Sequence, residues 1–296
     1  MSNDFWMPEA NDGGQAAPAS SPFPAPAPTP TRASLRDSRP TKRRRKRSLG
    51  ARIAGVIGEL LITAGVLVGL FVVWQWFWTD MVAHREQAEM MNALPWTPPP
   101  AVAAPLSLER RDDPPIEPVP EEGTIFGQLY IPRFGSEWVS PLAHGTSRRY
   151  VLDRLGVGHF PDSQMPGELG NFATAGHRTS FGSAFRGIAD LEDGDPIVVR
   201  TETTWYVYRV TGRTIIMPDE TWVIAPVPDP EMVPGAVLPE LTRRIMTLTS
   251  CHPIGSTRER YIVWADFDFW MPVSDGIPQL LIDAGVRIVG VTEGAI

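Results

Sequence analysis

Cys251 is the only cysteine among 296 residues, so it has no partner within the chain for a disulfide. Only a thiolate attacks well, and an unassisted cysteine has a pKa of about 8.5, so a working one needs a cation, a base or dipoles beside it. The structural alternative is a buried cysteine serving as a small hydrophobe. The run Ile245-Met246-Thr247-Leu248-Thr249-Ser250-Cys251 alternates like a strand and stops at His252-Pro253. The thiol is therefore expected at a strand's end facing a loop, where the strand fixes the backbone and the loop gives access.

Five histidines could serve as its base. His177 closes a second strand-like run, Asn171 to Thr179, in which Gly176 permits close backbone approach. It ranks first on spacing, His159 second and His144 third. His252 adjoins the cysteine, but neighbouring side chains on an extended chain point to opposite faces. His84 ranks last. Arg260 opens the next strand-like run, nine residues after Cys251, and a hairpin of that length can return its guanidinium toward the thiol. Its planar fork of donors suits a developing oxyanion. A solvated pair with Glu259 or Asp266 is the alternative.

These side chains need a scaffold, and the sequence from Gly123 onward supplies short β-branched and aromatic runs split by turn residues. Strands are expected at Ile125–Ile131, Asn171–Ala175, Pro196–Val199, Thr204–Val210, Thr214–Met217, Arg244–Thr249 and Tyr261–Ala265. Helical spacing is confined to Arg148–Leu155 and Phe185–Leu191. An all-β sandwich or barrel over residues 123–272 is the expectation. Residues 273–296, with a helix or strand over Pro278–Val289, have no assigned place.

Ahead of that unit, Ile53–Trp78 is a 26-residue stretch with one charge, Glu59. It is long enough to cross a bilayer as a helix. The run Lys42-Arg43-Arg44-Arg45-Lys46-Arg47 precedes it, and Trp74, Trp76 and Trp78 close it. Basic residues collect on the cytoplasmic side and tryptophans at the interface, so residues 49–78 read as an uncleaved signal-anchor with the C-terminal part outside. Residues 1–48 are Pro/Ala-rich and basic, read as a disordered cytoplasmic tail. Residues 79–122 read as a short polar helix to Leu94 and then a Pro-rich stalk. The tail holds nine Lys/Arg against four Asp/Glu, whereas residues 79–296 hold seventeen against twenty-nine. An acidic outer part argues against nucleic acid, and the basic flank favours anionic lipid. With no metal-ligand set and no nucleotide loop in the sequence, no cofactor is expected.

Thr247-Leu248-Thr249-Ser250-Cys251, a downstream Arg260-Tyr261-Ile262-Val263 and an upstream Ala175-Gly176-His177 together resemble a sortase, a membrane-anchored cysteine transpeptidase of Gram-positive bacteria. The resemblance runs from about Thr124 to Ala265 and includes Gly127-Gln128-Leu129-Tyr130-Ile131-Pro132 and the Asp193-Gly194-Asp195 turn. The short cysteine-to-arginine loop and Cys251-His252-Pro253 look most like class E, the housekeeping type of actinobacteria. One departure stands: Ser250 occupies a position that is usually threonine. The resemblance implies a closed β-barrel of about eight strands. It also implies Cys251 as nucleophile, His177 as acid and base, Arg260 at the oxyanion, and Thr249 and Ser250 near substrate. The implied substrates are secreted proteins with an LAxTG- or LPxTG-like C-terminal sorting signal, and the implied acceptor is a peptidoglycan amine. Another exported cysteine hydrolase, or a non-catalytic surface module, would carry the same lone cysteine. The His-Gly-Cys and Cys-Gly-x-Cys-Trp contexts of two such hydrolase groups do not occur here.

Overall fold

Alternation along the strands decides the architecture. On β6 (Thr204–Ile216), Tyr206, Tyr208 and Val210 point into one apolar cluster while Trp205 and Val207 point into another. A strand buried on both faces must be covered on both. The inner cluster fills a closed barrel of eight strands in the order β1-β2-β3-β4-β7-β8-β6-β5. The remaining strands are β1 (Ile125–Tyr130), β2 (Val139–His144), β3 (Val157–His159), β4 (Gly170–Gly176), β5 (Pro196–Arg200), β7 (Arg244–His252) and β8 (Glu259–Pro272). The computed structural model describes residues 48–231 and 239–292. The expected N-terminal tail lies, but for Ser48, outside the described residues.

The chain divides into two compact units, residues 1–60 and 61–296. Over its described residues the first is the beginning of helix α1 (Leu49–Asn92). Leu49–Trp74 of that helix is long and apolar enough to cross a membrane, with mean hydropathy 2.5. The second unit carries the rest of α1, the barrel and everything after it. The polar helix expected beyond Trp78 is therefore the uninterrupted end of α1.

Two segments differ from their expected roles. The Pro-rich segment after α1 is extended, as its composition demands, but it lies along the barrel. Ala103 pairs with Ile277 and Arg110 with Trp270 as isolated bridges. Tyr206 donates to the carbonyl of Pro115 at 2.6 Å, and buried Arg200 donates to the carbonyl of Thr97 at 2.9 Å. Prolines cannot donate, but their carbonyls accept, so a Pro-rich strap still satisfies barrel donors. The C-terminal residues 273–291 are the cover on the outer face of β5, β6 and β8. There α3 (Gln279–Asp283) brings Leu281, with Val286 and Ile288, onto Trp205, Val207, Phe269 and Met271. Each large apolar side chain buried this way contributes roughly 1.5–3 kcal/mol.

The expected strands at Thr204–Val210 and Thr214–Met217 are one strand, β6, whose register against β8 shifts between Val210 and Gly212. Only Ile188–Asp190 of the expected helix at Phe185–Leu191 is helical, as a single 3-10 turn.

Candidate active site

Register places the site. β4 and β7 run parallel with Ala175 beside Thr249, so two residues further on His177 is level with Cys251 on the adjoining strand. β7 and β8 run antiparallel with Cys251 directly opposite Arg260. Cys251 thus sits between the histidine on one side and the arginine on the other. All three line one cleft of about 430 Å³, together with Arg148, Leu152, Phe181, Thr249 and Thr257. The thiol is partly exposed. A larger hollow of about 570 Å³, lined by His84, Gln87, Trp138 and Gly182, includes none of the three. The smaller cleft is the one in which the thiol, imidazole and guanidinium meet.

Each side chain is held by neighbours. Nε2 of His177 lies 2.7 Å from Oδ1 of Asp153, and a carboxylate can only accept from it. Nε2 therefore carries the proton and Nδ1 is the nitrogen left for proton transfer. Asp153 opens α2 (Asp153–Leu155), directly after a π-helical turn at Arg148–Leu152. Its carboxylate is also 3.7 Å from Nε of Arg148. The Arg260 guanidinium donates to the carbonyls of Thr257 and Glu259, both at 2.9 Å, which anchors it at the mouth of the β7–β8 hairpin.

Thr249 and Ser250, expected near substrate, both line the cleft, and their hydroxyls are held by the neighbouring strand. Thr249 Oγ1 donates to the Thr174 carbonyl at 3.0 Å and Ser250 Oγ to the Gly176 carbonyl at 2.8 Å. Both hydroxyls are engaged by β4 and hold the cysteine strand in register with the histidine strand. Ser250 needs only its hydroxyl for this bond, so the departure from threonine keeps it.

The other histidines are occupied elsewhere. His252 is not among the residues lining the cleft, and buried Arg178 donates to its Nδ1 at 2.8 Å. Arg178 also reaches the Cys251 carbonyl at 3.4 Å and lies over the Tyr261 ring. The residue after His177 is thereby tied to the residues around the nucleophile. His144 and His159 form a buried pair, Nδ1 to Nδ1 at 3.0 Å, on β2 and β3. His159 Nε2 donates to the Gln164 carbonyl at 2.9 Å, so its Nδ1 accepts and the His144 Nδ1 carries the proton. Burial, and then the neighbouring His144, lowers the His159 pKa to about 4.

The loop after His177 is strained. Ser180, Phe181 and Ser183 have φ of 67°, 53° and 45°, with Gly182 at 83° between them. Left-handed backbone costs a residue with a Cβ roughly 1–2 kcal/mol. The Phe181 ring lies 5.4 Å from the His177 ring, so this turn forms one wall of the His177 surroundings. Among the described residues no group of three or more His, Cys, Asp or Glu is placed to hold a metal.

Asp153 and the 180–183 turn carry no local sequence signal. Asp153 lies 24 residues before His177, and only the folding of residues 148–155 over the end of β4 joins them.

A thiol, an imidazole and a guanidinium around one cleft are the working parts of a cysteine acyl-transfer enzyme. Comparison with known proteins gives the family. A family model described as a sortase domain matches residues 129–268. Sortase SrtE2 of Streptomyces coelicolor is 33% identical over 240 residues, covering 76% of this chain and 85% of that protein. Sortase SrtE1 of the same organism is 34% identical over 252 residues, covering 83% of this chain and 66% of that protein. Among solved structures, the SrtA sortase from Actinomyces oris is 38% identical with a TM-score of 0.54, covering 62% of this chain and 99% of that one. The chain belongs to the sortase family, cysteine transpeptidases with this closed barrel, and its resemblance is to the class E members.

Proposed function

We propose that this chain is a membrane-anchored transpeptidase that cuts a C-terminal sorting signal between Thr and Gly and joins the protein to a peptidoglycan amine. The observation carrying this reading is the register that sets Cys251 between His177 and Arg260 in one cleft. The Cys251 thiolate attacks the threonine carbonyl carbon, and Arg260 holds the oxyanion of the tetrahedral intermediate. Protonated His177, through Nδ1, gives its proton to the glycine nitrogen as the C–N bond breaks, leaving a thioester on Cys251. The acceptor amine then attacks the thioester, His177 takes its proton, and the thiolate departs as the new amide forms. Asp153 keeps the imidazole in the tautomer this sequence needs.

The acidic barrel is assigned to the outer face of the membrane and the basic run before α1 to the cytoplasmic leaflet, on the charge asymmetry of the two ends. The LAxTG form of the signal is preferred over LPxTG, on the likeness to class E.

The test is intact mass spectrometry of the full chain in detergent micelles after incubation with LAETG- and LPETG-containing peptides. A thioester adduct, lost in Cys251→Ala, is expected, with more adduct from LAETG. No adduct from either peptide would defeat the reading.

A further inference from the structure

The left-handed turn after His177 is held from outside, by α1. Asp80 accepts from the Gly182 amide at 3.2 Å and from Ser183 Oγ at 3.2 Å. Arg186 closes the cluster, with Nη2 2.8 Å from the Asp80 carboxylate and 3.1 Å from Ser183 Oγ. One helical turn further along, His84 Nε2 donates to the Gly182 carbonyl at 2.8 Å. Asp80 and His84, spaced i, i+4, face the same side of the helix. They take both backbone groups of Gly182, the middle of four successive residues with positive φ. Within the turn itself, the Ser183 amide bonds the Ser180 carbonyl at 2.9 Å. Non-glycine residues in this conformation persist only where their surroundings over-determine it, and α1 supplies the ties to both backbone groups of Gly182. From the turn the constraint passes to His177 by two routes: the Phe181 ring beside the imidazole and the bond from the Phe185 amide to the His177 carbonyl at 2.9 Å.

We infer that Asp80 and His84 are positioning residues for His177. The helix that continues the apolar span sets the placement of the acid–base group through the 180–183 turn. Asp80 lies six residues past Trp74, the end of that apolar stretch, about 9 Å along the helix. The anchor helix is on this account part of the catalytic apparatus as well as a tether. The inference rests on the proposed transpeptidase reading, because it takes His177 as the proton-transfer group.

The test compares the full chain in detergent micelles with Asp80→Ala/His84→Ala, assayed by peptide transpeptidation. A mispositioned catalytic group lowers turnover more than binding. The double variant is expected to lose about tenfold in kcat with KM within about twofold, and to shift the limb of the pH–rate profile that reports His177. Asp80→Asn, which keeps an acceptor for the Gly182 amide, is expected to recover most of the kcat. A double variant with a lowered melting temperature but wild-type kcat and pH profile would overturn the inference. Should that variant not fold, Ser183→Ala removes the hydroxyl's bonds to Asp80 and Arg186 and no charge. A reduced kcat there supports the clamp, and a wild-type kcat overturns it. Acyl-enzyme formation by the unaltered chain reports separately on the transpeptidase reading. An inactive parent defeats that reading, whereas an active parent with indifferent variants defeats the clamp alone.

Discussion

At the level of single residues, the bond between His177 and Asp153 decides, on the proposed reading, which nitrogen exchanges the proton. With Nε2–H held by the carboxylate, the neutral imidazole is fixed in the tautomer whose Nδ1 is free of a proton. Asp153→Asn preserves the shape but can present an amide N–H where an acceptor is required. It is expected to lower kcat by about a hundredfold or more while the protein stays folded, because the wrong tautomer costs up to about 10⁴-fold in a Ser-His-Asp triad. Steady-state kinetics with a circular dichroism control would check this, and a wild-type kcat would remove Asp153 from the site. His159 sets a second expectation. Its folded pKa of about 4 lies below the ordinary value of about 6.5. Between those values the unfolded chain binds the proton and the folded one does not, so stability is fully present above about pH 6.5 and falls as the pH drops toward 4. The loss is on the order of 2–3 kcal/mol. Urea midpoints at pH 7 and pH 4.5 should show it, and His159→Gln should flatten the difference.

Among the elements, the strands were legible where composition and alternation agreed. Ile125–Ile131, Pro196–Val199 and Arg244–Thr249 are close to β1, β5 and β7. β2 escaped because Pro141 interrupts its pattern, and β3 because three residues carry no periodicity. Cys251, His177 and Arg260 were readable because each ends or opens a recognisable run. Their mutual placement was not, since parallel pairing of β4 with β7 joins segments 74 residues apart. The 180–183 turn was invisible because nothing in Ser-Phe-Gly-Ser announces positive φ at three residues with side chains. That strain yields a prediction of its own. Ser180→Gly relieves a left-handed serine at some cost in unfolded-state entropy, for a net gain of about 0.5–1 kcal/mol. Thermal unfolding should show a higher midpoint, and a lower one would mean the serine is not strained.

For the molecule as a whole, the Pro-rich strap and the C-terminal cover turn a barrel into a wider cooperative unit. Composition foretold an extended strap but not its partners, because proline constrains a chain's own path and says nothing of where it lies. Removing residues 1–123 would strip partners from Arg200, Tyr206 and Trp270 and uncover Ala104's seat in the outer cluster. The remaining 124–296 segment is expected to melt about 10 °C or more below the intact protein, or to aggregate. A midpoint unchanged by the deletion would show the strap to be an ornament.

Closure of the sheet has a consequence for recognition. β1 pairs with both β2 and β5 and the ring is closed, so among the described residues one-sided pairing is left to strand ends such as β6 past Val210 and β7 past Thr249. An extended peptide has no full-length edge to join as one more strand, the sequence-tolerant mode that open edges permit. On the proposed reading, selection of a sorting signal falls largely to side chains and loop backbone around the cleft. Exchanging those loops, with the barrel left intact, should therefore redirect which peptides the protein accepts.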